Sequence, residues 1–113
     1  MDELCVGLCE GRHEIPGVDT YIFPEGYFMG SQVFDYARMA KRIHEVLGEH
    51  RGPVRVYVTG LTAALVEVIN YCSWNLLELK LMHFDRESGS YIEQPVCTNI
   101  WKSALVEGDY VSP

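Results

Sequence analysis

An α/β domain built on a short, mainly parallel sheet is the fold class this sequence predicts, and two observations predict it. Short apolar runs rich in β-branched residues alternate with longer segments of helical periodicity. A strand, a polar turn and a helix also follow one another within a few residues around Thr59-Gly60, an order best served by a right-handed parallel crossover. The 113 residues match the common size of one domain, which buries roughly two thirds of its unfolded surface. One domain over 1–113 is expected.

Each element has its own signal. Glu3 to Cys9 is a short apolar run bounded by Glu10-Gly11 and reads as a buried first strand. A long polar loop with Arg12-His13-Glu14 and Pro16-Gly17 leads to a brief strand at Tyr21-Ile22-Phe23, stopped by Pro24-Glu25-Gly26. Val33, Tyr36, Ala37, Ala40, Ile43 and Leu47 recur at intervals of three and four, predicting a helix over 32–47 capped by Ser31, with Lys41, Arg42 and His44 at its negative end and Gly48 as the stop. Val54 to Val58 has the pattern of a central strand. Leu61 to Cys72 is a helix apolar on nearly every side, so one face covers the sheet and another, with Val68 and Ile69, either meets a second copy of the chain or is buried. Leu79 to Phe84 is a further strand; Arg86 to Ser90 forms a hairpin turn into Tyr91 to Val96, which Pro95 assigns to an edge. Beyond Cys97 the pattern is weak, with Ile100, Trp101, Leu105 and Val106 spaced to pack as a short helix.

Composition narrows the function. An apolar share of 48% with 22% charged residues predicts a packed core. The formal charge of -7 repels a polyanion, which argues against extended nucleic acid as a partner. A small phosphorylated ligand stays open, because backbone N–H groups at a helix start hold phosphate whatever the net charge. The acidic start Met1-Asp2-Glu3-Leu4 does not look like a secretory leader, and no stretch has the ~20 apolar residues of a spanning helix, so a cytoplasmic protein without membrane contact is expected. Cys5, Cys9, Cys72 and Cys97 lack the paired spacing of a zinc site and read as small buried hydrophobes; neither a metal nor a cofactor is expected.

Ligands of open parallel sheets bind beyond the carboxyl ends of the strands. This rule groups Arg12 and His13, then Thr59, Gly60, Leu61 and Thr62, then His83, Asp85 and Arg86. Gly60 lets backbone approach a ligand, the hydroxyls of Thr59 and Thr62 are donors, and the following helix start favours an anion; the competing reading is that either threonine only caps the helix. His13 titrates near neutral pH and can move a proton, with Arg12 beside it, unless both are simply solvated. His83 shares a strand face with Leu79 and Leu81, as a satisfied core histidine also would, and Asp85-Arg86 equally suit a turn.

The segment Val54 to Val96, with its strand, Thr59-Gly60-Leu61-Thr62 turn, helix, strand and Ser88-Gly89-Ser90 hairpin, resembles the latter half of CRISPR-associated Rossmann-fold domains and small ring-nuclease relatives. The resemblance implies a small Rossmann-like domain with flanking helices and a C-terminal β-hairpin. It also implies a homodimer that senses, sequesters or cleaves a cyclic oligonucleotide on the Thr/Gly-rich turn. If cleavage occurs, the simplest chemistry is metal-independent: a ribose 2'-hydroxyl attacks the adjacent phosphate, His13 is the general base and Arg12 steadies the developing charge. The alternative is a non-catalytic interaction protein, an inhibitor or assembly factor, whose acidic surface and apolar helix bind another protein.

Overall fold

Alternating burial along Val54-Arg55-Val56-Tyr57 marks a strand with one face in the core: Val54 and Val56 are fully buried, while Arg55 and Tyr57 are half-buried. In the computed structural model, which describes residues 2–11, 14–29 and 35–96, this strand is the middle of five. The elements are β1 (Leu4–Cys9), β2 (Tyr21–Phe23), α1 (Tyr36–Leu47), β3 (Val54–Tyr57), α2 (Thr62–Trp74), β4 (Leu79–Asp85) and β5 (Ser90–Val96). The sheet order is β2-β1-β3-β4-β5. β2, β1, β3 and β4 run parallel, and β5 pairs antiparallel with β4, so the sheet is mixed and β5 is an edge. No helix among the described residues is long and apolar enough to cross a membrane.

Both helical crossovers step along the sheet in the same direction, β2 to β3 and β3 to β4, so right-handed connections put both helices on one face. They pack on each other there. Met39, Ile43 and Leu47 of α1 and Ala64, Val68 and Cys72 of α2 meet Val6, Leu8, Val54, Val56, Leu79 and Leu81 of the sheet. The ring of His44 adds a polar tie between the helices, its Nδ1 lying 2.8 Å from the hydroxyl of Tyr71.

The other face has no helix among the described residues and is closed by its own side chains. Arg55 lies 3.0 Å from Glu3 and 3.2 Å from Glu93, and Lys80 lies 3.8 Å from Glu3. Towards the carboxyl ends of the strands the same face turns aromatic, with Tyr91 edge-on to both Tyr57 and Phe84. Gly7 is required here, because a Cβ at that position would run into the ring of Tyr21.

Three expectations are corrected. α1 begins at Tyr36, since Asp35 is extended and its carboxylate accepts from the amide of Arg38 at 3.1 Å. Asp35 is therefore the cap; Ser31 and Val33 lie outside the described residues. Arg42 does not serve the end of α1; it reaches the edge of the sheet, where its Nε donates to the carbonyl of Ile22 at 2.6 Å and its Nη2 to that of Tyr21 at 3.3 Å. Val68 is fully buried under the sheet and cannot contact a second copy, whereas Val66 on the outer face of α2 is 47% exposed. A helix apolar around its whole circumference carries no periodic mark of which side faces inward.

Candidate functional site

The carboxyl ends of β1 and β3 are stitched together by one side chain. Thr59 donates its hydroxyl to the carbonyl of Cys9 at 2.6 Å and accepts from the amide of Cys9 at 3.1 Å. Its hydroxyl is therefore occupied by the sheet, and Thr59 neither caps α2 nor offers a free donor. The next residue, Gly60, has φ +82°, and a Cβ there would lie 2.8 Å from both Cβ and Sγ of Cys9. Only glycine meets both conditions, the left-handed backbone and the close approach.

Leu61, extended at φ -82°, is the N-cap of α2 and supplies no side-chain cap. Its amide instead points to the thiol of Cys9, partly offsetting the burial that pushes this thiol up from its ordinary value. Thr62 opens the helix and is exposed. With Ala64 and Leu65 already donating to the carbonyl of Leu61, the amides of Thr62 and Ala63 have no carbonyl partner among the described residues. These two N–H groups and the Thr62 hydroxyl form a small corner at the positive end of the helix dipole, suited to an anionic oxygen.

A separate groove of about 500 Å³ runs along β2, from the residues that lead into it to Glu10 and Gly11 beyond the end of β1, and none of Thr59 to Ala63 lines it. Glu10, Gly11, Glu14, Asp19, Thr20, Tyr21 and Arg42 are among the residues that line it. Two of its members are already engaged: Glu10 accepts from the amide of Glu25 at 3.0 Å, and Arg42 holds the carbonyls of β2. Among the described residues, three carboxylates against one committed guanidinium line the groove, which makes that part of its wall negative. It accepts hydroxyl and amino groups more readily than phosphate. Arg12 and His13 lie outside the described residues, although Gly11 and Glu14, which bracket them in sequence, line the groove.

His83 and Asp85 lie at the end of β4 and Arg86 follows it; the register that pairs Tyr57 with Met82 sets His83 level with Val58. His83 is half-buried on the helix-bearing face, with Nε2 2.7 Å from Oε1 of Gln94 on the adjacent strand, so it links β4 to β5. Asp85 accepts from the amide of Ser88 at 3.2 Å, and these turn bonds hold its carboxyl below the usual range. Arg86 is exposed in the same turn. Among the described residues none of the three hydrogen-bonds to Thr59, Gly60, Leu61 or Thr62.

Sequence reasoning missed Cys9, Glu10 and Arg42. The position of Glu10 directly after the first apolar run was a usable signal, by the same strand-end rule that selected Thr59. Arg42 carried none, because its target is a strand about twenty residues earlier.

Among the described residues no three of His, Cys, Asp or Glu gather as they would around a metal ion. Cys5 and Cys9 are half-buried and Cys72 is buried, all as free thiols. No protein-family profile, curated protein or solved structure matches this chain.

Proposed function

We propose that this chain is a small Rossmann-like domain, closed by a C-terminal β4–β5 hairpin, that binds a cyclic oligonucleotide in the cytoplasm as a homodimer. One observation carries the reading: the bare backbone of Gly60 leads directly to the unpartnered amides of Thr62 and Ala63 at the carboxyl end of the central strand. A phosphate oxygen fits that corner, and the carboxylates of Glu10, Glu14 and Asp19, in the groove along β2, suit ribose hydroxyls and base amines. If the ligand is also cleaved, His13 takes the proton of the ribose 2'-hydroxyl that attacks the neighbouring phosphate, and Arg12 steadies the charge on the phosphoryl oxygens. The P–O5' bond breaks as the 2'-oxygen bonds to phosphorus, and the departing 5'-oxygen takes a proton from solvent, leaving a cyclic 2',3'-phosphate and a free 5'-hydroxyl.

The test is a thermal-shift screen against cyclic di- and oligonucleotides followed by titration calorimetry. A ligand at 100 times its dissociation constant adds about 2.7 kcal/mol to stability. Thr62→Ala is expected to weaken binding by about 0.5–3 kcal/mol without unfolding the protein. Unchanged affinity in folded Thr62→Ala protein, or no shift from any cyclic nucleotide, overturns the reading.

A second reading is a non-catalytic interaction module. The exposure of Phe84 and Ile92 on opposite faces of the β4–β5 pair favours it, because large apolar side chains left open to solvent suit a protein partner better than a nucleotide. Absence of any nucleotide response together with loss of a captured partner in a Phe84→Ser, Ile92→Ser double variant would select it.

A further inference from the structure

The turn from α2 into β4 exposes the two most solvent-open large apolar side chains of the described residues, Trp74 at 87% and Leu76 at 90%. Single exposed apolar residues are ordinary, but here two sit one residue apart on a tightly built stop. The amide of Leu77 donates to the carbonyl of Cys72 at 2.9 Å, and that of Asn75 to Tyr71 at 3.0 Å. Leu76 takes φ +55°, the left-handed position at which helices usually end on glycine. A leucine there is costly to the backbone and gains nothing from burial within the described residues.

What lies next to this knuckle is the end of β5. Val96 is paired with Leu79 in antiparallel register, so β5 runs along β4 towards its Leu79 end and finishes beside a residue three positions after Leu76. Residues 97–101 span at most about 17 Å when extended, and they bring Ile100 and Trp101 within reach. Lys102 follows directly, opposite in sign to Glu78, which is exposed beside the knuckle.

We propose that the Trp74–Leu76 knuckle is the docking surface for the chain's own C-terminal segment, 97–113, engaged through Ile100 and Trp101. The inference is independent of any nucleotide site. It gives both exposed side chains a partner and accounts for a leucine at a glycine position.

The chain contains two tryptophans, Trp74 and Trp101, so each serves as the sole reporter when the other is Phe. In full-length Trp74→Phe protein, Trp101 is expected to emit at shorter wavelength than a solvated indole and to resist acrylamide. Adding Leu76→Gly, which relaxes the backbone and leaves the core untouched, should raise the quenching constant at least about twofold as the indole passes from a packed to a solvated face. In full-length Trp101→Phe protein, Trp74 should be protected, and an added Ile100→Glu should release it. Circular dichroism confirms that each variant is folded. Trp74 as accessible as a free indole in folded Trp101→Phe protein overturns the proposal. So does protection that disappears on dilution while the sedimenting mass halves, which would assign the knuckle to a second copy, and so does unchanged quenching of Trp101 on Leu76→Gly.

Discussion

The hydroxyl of Thr59 is bonded twice to one residue, donating to the carbonyl of Cys9 at 2.6 Å and accepting from its amide at 3.1 Å. A side chain that looked available to a ligand thus extends the β1–β3 ladder by one rung. Thr59→Val removes both bonds at nearly constant shape and leaves two part-buried backbone groups without their partner. A loss of about 1–3 kcal/mol is expected in urea unfolding, with Thr59→Ser close to wild type; a loss below about 0.5 kcal/mol for Thr59→Val would refute the tie.

Gly60→Ala combines a left-handed backbone with a Cβ 2.8 Å from Cys9. The two causes are separable by a double-mutant cycle, because Cys9→Gly removes the contacted atoms and leaves φ unchanged. Gly60→Ala alone should destabilise by about 1–3 kcal/mol, and coupling of about 0.5 kcal/mol or more with Cys9→Gly identifies the steric part. Additive losses would mean that only backbone strain matters.

Burial in the core pushes the Cys72 thiol from its ordinary value of 9.0 up to about 11. The folded state therefore favours the protonated thiol, and its contribution is complete below pH 9.0. That contribution declines as pH rises, because the unfolded chain ionises first. At most about 2.7 kcal/mol is lost by the time the folded thiol titrates. Cys72→Ala should flatten the stability profile between pH 9 and about 11, leaving the contributions of Cys5, Cys9, Tyr27 and Tyr71, which burial also raises. An unchanged slope in Cys72→Ala protein would show that the thiol is not sequestered.

Val68→Glu and Val66→Glu separate core from surface on one helix. Val68 is fully buried and Val66 is 47% exposed. The first places an unpaired carboxylate under the sheet and should abolish folding; the second should change stability by no more than about 0.5 kcal/mol. Sedimentation of folded Val66→Glu protein then tests a dimer through the outer face of α2. A folded Val68→Glu protein would contradict the packing.

Most of the elements were legible in the sequence because burial writes a period into each. The runs at Leu4–Cys9, Val54–Tyr57 and Leu79–Asp85 are bounded by turn residues, and Pro95 marks the edge strand. The inward side of α2 was not legible, since Val66 and Val68 are the same residue in an unmarked helix. Nor was the duty of Thr59, whose partner lies 50 residues away in sequence. The strand-end rule selected the candidate site, and its members divide: Gly60 and Thr62 stay exposed at the start of α2, while His83 is bonded to Gln94, which the β4–β5 register brings to it, and Asp85 to Ser88 in its own turn.

The strand order also implies a sequence of events in time. β1 precedes the other strands along the chain yet sits inside the sheet, where its bond to Thr59 closes a loop of 50 residues. β4 and β5 are separated by only a short turn. Closing the longer loop forfeits more chain entropy before any contact rewards it, so local pairs form early and distant ones late. Refolding should therefore begin with β4, β5 and α2 and end with the insertion of β1 between β2 and β3. Near-zero φ-values for Val6→Ala beside high ones for Tyr91→Ala would bear this out, and the opposite ranking would reverse the order. Until β1 arrives, β3 presents an open apolar edge, and that interval is when the chain is most exposed to pairing with the wrong partner.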